Sequence, residues 1–250
     1  MPDTGRKGSV EYLTGLIPGA IFFDIDLIAD TTSELPHTMP SEASFQKTIR
    51  AFGISDDDTI VIYNKGDTPT AARVWWMFRT MGHENVFMLD GGYSKWVAEN
   101  RPITKETSKR PPSRFKAVYK PSLLRDTNAV VANLKHKQEQ ILDARSVGRF
   151  NGTVPEPRAG LSGGHIPGSK NLPFTDLYQP DGTLKAVADL KDIVEAANID
   201  LKSPITTSCG SGVTACNLAI AFAAIGKWDV AVYDGSWTEW GSNKSLPITQ

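Results

Sequence analysis

PITTSCGSGVTACNL, residues 204–218, is the stretch whose reading decides the fold. It opens on a short β-branched run, Ile205 to Ser208, crosses a loop of small residues, and enters at Thr214 an Ala- and Leu-rich segment with helical patterning as far as Ile225. Strand, glycine loop and helix in that order make the repeating unit of an open parallel sheet, because parallel neighbours need a long crossover and a helix is the usual one. TIVIYNKGDTPTAAR at 59–73 has the same shape, with Asn64 in the place of Cys209. Two more pairs keep the order: GLIPGAIFFDID at 15–26 with GHIPGSKNLPFTDL at 164–177, and VFMLDGGYSKWVAENRPIT at 86–104 with VAVYDGSWTEWGSNKSLPIT at 230–249. The displacement is 149 residues from Gly15 to Gly164, 145 from Asn64 to Cys209 and 144 from Asp90 to Asp234, so the chain is a duplicated domain.

Apolar runs at Thr59 to Tyr63, Val86 to Leu89 and Val230 to Tyr233 alternate with helical patterns such as Ala71 to Met81. The fold class is therefore α/β: tandem domains, each an open parallel sheet with helices on both faces. The first domain is read as 1–104, the second as 123–250, and the Lys-, Arg-, Pro- and Ser-rich segment 105–122 (KETSKRPPSRFKAVYKPS) as the linker. The second half begins with an apolar strand, Gln140 to Ala144, about twenty residues before its GHIPG. The first half has only a polar, glycine-containing lead before GLIPG, so either its domain lacks the first strand or the sequence begins late.

Composition excludes several classes. With 40% hydrophobic and 22% charged residues in 250, the chain is globular and large enough for a sizeable core. Its 27 basic and 28 acidic residues leave a net charge of -1, which recruits neither nucleic acid nor an anionic membrane. No apolar run approaches the roughly 20 residues of a membrane span, and MPDTGRKGSVEYL lacks a secretory h-region, which predicts a cytoplasmic setting, with a mitochondrial address as the alternative should the sequence begin late. Cys209 and Cys216 make no disulfide framework, and no Cys or His pairing has zinc spacing, so neither a metal nor a cofactor is expected.

The loop explains why both cysteines lie there. Cys209 ends a strand at the carboxyl edge of the sheet and faces a helix N-terminus, where unpaired N–H groups and the helix dipole favour an anionic sulfur. Gly210 and Gly212 let the backbone curl inward, and the result is a nucleophile at neutral pH. The other reading of Cys209 is an inert cysteine in a tight turn. Cys216, in the apolar helix, is assigned to core packing. Asn64 cannot be a nucleophile, so the first half is the non-catalytic copy.

These residues are similar to those of the two-domain rhodanese-type sulfurtransferases, and CGSGVTA resembles the loop of the 3-mercaptopyruvate branch. GHIPG, DGSWTEWG, ARVWWMFR at 72–79 and DARSVGRFNGTVPEPRAG at 143–160 extend the resemblance over nearly the whole chain. It implies a double displacement in which Cys209 takes sulfur from 3-mercaptopyruvate, holds it as a persulfide, and passes it to a thiol such as thioredoxin or glutathione, or to cyanide. It also implies that Arg149 and Arg158 hold the donor carboxylate and keto oxygen, a task suited to planar guanidinium groups. Gly210, Gly212, Val213 and Thr214 would line the donor. Ser211, with His37 and Asp26 from the first half, matches a relay able to protonate the departing enolate. His165 is read as fixing its turn, and Trp237 and Trp240 as packing the wall of the site.

Three other readings compete with this one. A phosphatase needs Cys-x5-Arg, but position 215 is alanine and 209–226 contains no arginine. A non-enzymatic module would be expected to have lost the nucleophile, which this chain keeps. A thiosulfate:cyanide sulfurtransferase is the rival within the class; members specific for thiosulfate typically carry basic residues in the active loop, whereas Cys209 to Thr214 is uncharged.

Overall fold

The computed structural model describes residues 5–66 and 68–250. The chain divides into two compact units, one running to Lys120 and including Pro180–Thr183, the other comprising Pro121–Gln179 and Leu184–Gln250. Among the described residues no helix is long and apolar enough to cross a membrane.

The first unit contains, in order, α1 (Gly8–Thr14), α2 (Ile25–Ile28), α3 (Glu42–Ala51), β1 (Ile60–Ile62), α4 (Ala71–Thr80), β2 (Val86–Met88) and α5 (Gly92–Ala98). The Ser41 hydroxyl caps α3 by accepting from the Ser44 amide at 3.2 Å. Nearly all of α4 is buried, and Phe45 from α3, Phe78 from α4 and Phe115 meet with ring centroids 5.2–6.2 Å apart. Strands β1 and β2 pair in parallel, Val61 opposite Phe87, and form the whole sheet of this unit among the described residues. Val61 and Phe87 are 56% and 54% exposed, so one face of that sheet is open.

The segment 105–122, read as a linker, is folded against this unit as far as Lys120. Phe115 and Ala117 are buried while Lys116 and Val118 are exposed, the alternation of a half-buried extended chain. Its amides are taken up by Asp56, Gln46 and Glu42 side chains, through Lys116, Ala117 and Tyr119 at 2.7–3.2 Å, and by the Met81 carbonyl through Val118 at 2.9 Å. The Lys, Arg and Pro content of the stretch hides this period of two.

The second unit contains β3 (Leu124–Arg125), α6 (Thr127–His136), β4 (Gln140–Asp143), α7 (Val147–Phe150), β5 (Lys170–Asn171), α8 (Val187–Ala196), β6 (Ile205–Ser208), α9 (Ala215–Ala224), β7 (Ala231–Tyr233) and α10 (Ser236–Trp240). Its five strands are parallel in the order β3-β7-β6-β4-β5. Every residue of β6 is buried and so are eight of α9, which explains why both read as apolar or small on all sides. Val130 of α6 packs with Ile141, Ile166, Tyr233, Trp237 and Trp240. The first unit has no counterpart of β3, β4 or β5 among its described residues, where the sequence led to the expectation of a single missing strand.

Candidate active site

The strand order of the second unit fixes where a site forms. The chain goes from β4 outward to β5, then returns to lay β6 on the other side of β4, so the direction of winding reverses between β4 and β6. Loops leaving the carboxyl ends of two such strands diverge and open a crevice. Asp143 of β4 is in register with Ser208 of β6, and the Ala144 amide donates to the Ser208 carbonyl at 2.8 Å. Arg145 and Cys209 therefore leave the sheet side by side.

Cys209 is buried, 1% exposed, and the segment after β7 holds its loop. The Trp237 and Thr238 amides donate to the Cys209 and Gly210 carbonyls at 2.9 and 2.8 Å, and the Thr238 hydroxyl adds a bond to Gly210 at 2.6 Å. A trans peptide carries its C=O and N–H in opposite directions, so the Gly210 and Ser211 amides point away from these anchors. Ser236 accepts from the Cys209 amide at 3.1 Å and donates to the Tyr233 carbonyl at 2.7 Å, from a left-handed backbone with φ of 49°. Gly212 completes the curl at φ of 73°. Val213 is buried and Thr214 is half-buried at the mouth of α9. Cys216 is fully buried behind them, its thiol donating to the Gly212 carbonyl at 3.3 Å.

Arg149 is brought to this loop. A Cβ on Gly210 would stand 3.0 Å from the Arg149 Nη2, so the missing side chain is the space the guanidinium uses. Behind Arg149 lies a buried run of alternating charge that sequence reasoning did not single out. Glu156, with a side chain 2% exposed, accepts from Arg149 Nε at 3.1 Å and Nη2 at 2.5 Å, and from Arg145 Nη1 at 2.8 Å. Arg145, fully buried, also donates to Asp143 at 2.6–3.0 Å and to the Gly164 carbonyl at 2.8 Å, and its guanidinium carbon lies 4.2 Å from the centre of the Trp237 ring. Burial alone would lower the Arg145 pKa; hydrogen bonds and charge from Asp143 and Glu156 outweigh it and raise the pKa instead, keeping the cation charged. The signal available in the sequence was the spacing of Asp143, Arg145, Arg149, Glu156 and Arg158 within one eighteen-residue stretch. Arg158 is half-buried and has no ion-pair partner among the described residues.

The remaining residues named from the sequence fall as follows. Ser211, buried, lies in the loop of the second unit. His37 and Asp26 lie in the first unit and pair at 3.0 Å, Nε2 to Oδ1, with the imidazole largely buried and the carboxylate exposed. His37 stands at φ of 63°, and its carbonyl accepts from Arg73 at 2.5 Å. His165 fixes its turn: its Nδ1 is 2.9 Å from the Phe150 carbonyl, its ring stacks on Phe150, and its backbone pairs with Thr249. Trp237 and Trp240 are fully buried. In the first unit Asn64, at the position matching Cys209, turns its amide onto the Gly66 and Thr68 carbonyls and braces its own loop. Among the described residues no three His, Cys, Asp or Glu side chains are grouped to hold a metal.

Comparison with known proteins places relatives beside this geometry. The model of the rhodanese-like domain matches twice, at residues 6–99 and 126–243. Mouse 3-mercaptopyruvate sulfurtransferase is 42% identical over 242 residues, 96% of this chain and 82% of that protein. Bovine thiosulfate sulfurtransferase is 44% identical over 238 residues, 94% of this chain and 80% of that protein. The Arabidopsis thaliana protein named thiosulfate/3-mercaptopyruvate sulfurtransferase 1, mitochondrial, is 40% identical over 99% of this chain and 71% of its own length. Among solved structures, SseA from Escherichia coli, described as a 3-mercaptopyruvate sulfotransferase of rhodanese fold, superposes with a TM-score of 0.85 at 37% identity, covering 94% of this chain and 88% of that one.

Proposed function

The chain belongs to the rhodanese-like family with two copies of the domain, and from that premise we propose a sulfurtransferase that takes 3-mercaptopyruvate as donor at Cys209. The observation that carries this reading is the approach of Arg149 to Gly210, which sets a guanidinium beside a loop that has no charge of its own. The Cys209 thiolate attacks the donor sulfur, forming an S–S bond as the donor C–S bond breaks. The electron pair leaves on carbon as pyruvate enolate, which gains a proton and departs as pyruvate. An acceptor thiolate or cyanide then attacks the outer sulfur and returns Cys209 as thiolate.

Arg149 and Arg158 hold the donor anion in this reading, and Gly210, Gly212, Val213 and Thr214 present backbone to it. Ser211, in the Cys209 loop, offers a hydroxyl able to protonate the enolate, and in the first unit His37 and Asp26 form an imidazole–carboxylate pair of the kind such a proton relay uses. The acceptor is a small or protein thiol of the glutathione or thioredoxin kind. The cytoplasmic setting belongs to the same proposal, with the mitochondrial name of the plant relative as its alternative, and fractionation decides it.

Thiosulfate is the donor to compare, since thiosulfate sulfurtransferases are as similar in sequence as the mercaptopyruvate enzymes. Intact-mass measurement and peptide mapping after brief exposure to each donor test both points. The expected result is a gain of one sulfur atom on the Cys209 peptide, faster with mercaptopyruvate, and none in Cys209→Ser. Sulfur retained by that variant, or faster loading from thiosulfate, overturns the assignment.

A further inference from the structure

We propose that Glu156 is a positioning residue for the donor: it pins Arg149 so that the end of its guanidinium faces the Cys209 loop. The inference rests on the reading of Arg149 as a donor-binding group.

A guanidinium has two edges that can grip a planar anion in pairs, the side edge of Nε with one Nη and the end edge of the two Nη atoms. Glu156 takes the side edge of Arg149, at 3.1 Å from Nε and 2.5 Å from Nη2. The end edge is left, and its Nη2 is the atom 3.0 Å from where a Gly210 Cβ would stand. Glu156 itself has little freedom. Prolines 155 and 157 flank it and fix the backbone on both sides. Its first oxygen is tied to Arg145 at 2.8 Å, and Arg145 is immobilised by Asp143, the Gly164 carbonyl and the Trp237 ring. The run Asp143, Arg145, Glu156, Arg149 alternates in sign, so the buried carboxylate is compensated on both sides and the orientation passes outward from the sheet to the loop. Without Glu156 the Arg149 side chain, 23% exposed, has solvent-facing rotamers available and no partner to hold it inward.

The test is a double-mutant cycle on the full chain with Glu156→Gln and Arg149→Ala, read as KM and kcat with 3-mercaptopyruvate. Discharge of the preloaded persulfide to cyanide is measured separately. Glu156→Gln is expected to raise KM about tenfold, the order expected for losing one charge-assisted hydrogen bond, with kcat and discharge within about twofold. Added to Arg149→Ala it should cost nothing more, because its effect passes through Arg149. Glu156→Asp, which keeps the charge but withdraws it by one methylene, should give a smaller KM rise and carries the same cycle if the glutamine variant does not fold. A KM rise from Arg149→Ala with none from Glu156→Gln, or an equal rise from Glu156→Gln in both backgrounds, overturns the positioning role. If Arg149→Ala itself leaves KM unchanged, the donor-clamp reading fails first and the inference falls with it.

Discussion

Gly210 carries no side chain, and Arg149 occupies the room this leaves. Gly210→Ala would set a methyl group 3.0 Å from Nη2 of a guanidinium that Glu156 pins from behind, so the guanidinium must tilt. We expect the KM for mercaptopyruvate to rise roughly fivefold, about 1 kcal/mol of a charge-assisted contact, with unfolding stability changed by less than about 0.5 kcal/mol. Steady-state kinetics beside a urea melt check this; equal losses in stability and activity would mean that the loop itself has been distorted. Cys209 and its loop could be named from the sequence because small residues between a strand and a helix have few other uses. Arg145 and Glu156 could not. Nothing local distinguishes a buried arginine or glutamate from a solvated one, and their burial depends on Trp237 and Gly164, which lie on other loops of the chain.

At the scale of elements, the edge of the second sheet is tied to its middle by Glu139, immediately before β4. Arg125 of β3 donates to it at 2.6 Å, and the Thr206 hydroxyl of β6 also donates to it. Burial alone would push the Glu139 carboxyl up, but hydrogen bonds from Arg125 and Thr206, together with the Arg125 charge, hold it below the usual range. A carboxyl whose pKa falls on folding contributes stability that is complete above the ordinary carboxylate range and is lost as pH falls through the lowered value. Glu139→Gln should therefore be about 1 kcal/mol less stable than wild type near pH 7, and the gap should close as pH falls through the lowered value, as read from urea midpoints. A gap that persists in acid would assign the effect to packing. The strands and helices read from the sequence, such as Ile205 to Ser208 and Ala71 to Met81, match the structure to within a residue or two because their hydrophobic periods are local, whereas the two-residue strands β3 and β5 are too short to show one. The strap 105–120 was not: Phe115 and Ala117 carry a period of two through a stretch whose composition reads as linker, and only the packing of Phe115 on Phe45 and Phe78 reveals it.

For the whole molecule, the two units have unequal sheets, two strands against five among the described residues. Two strands with Val61 and Phe87 exposed give less shelter to backbone hydrogen bonds than a five-stranded sheet whose central strand is buried throughout. Amides of β1 and β2 are expected to exchange with deuterium well before those of β6 and β7, which hydrogen exchange with peptide mapping can follow. Equal protection would show that the open face is covered in solution. The sequence by itself determined the duplication and the α/β class and pointed to Cys209 as the proposed nucleophile, because repeated order, hydrophobic period and the composition of one loop are properties of neighbouring residues. The tertiary structure alone decided which charges stand behind Arg149 and that Gly210 makes room for it, along with the strap's place in the first unit. Those facts depend on burial and on the meeting of separate loops at the carboxyl ends of β4 and β6, where distance along the chain no longer measures distance in space.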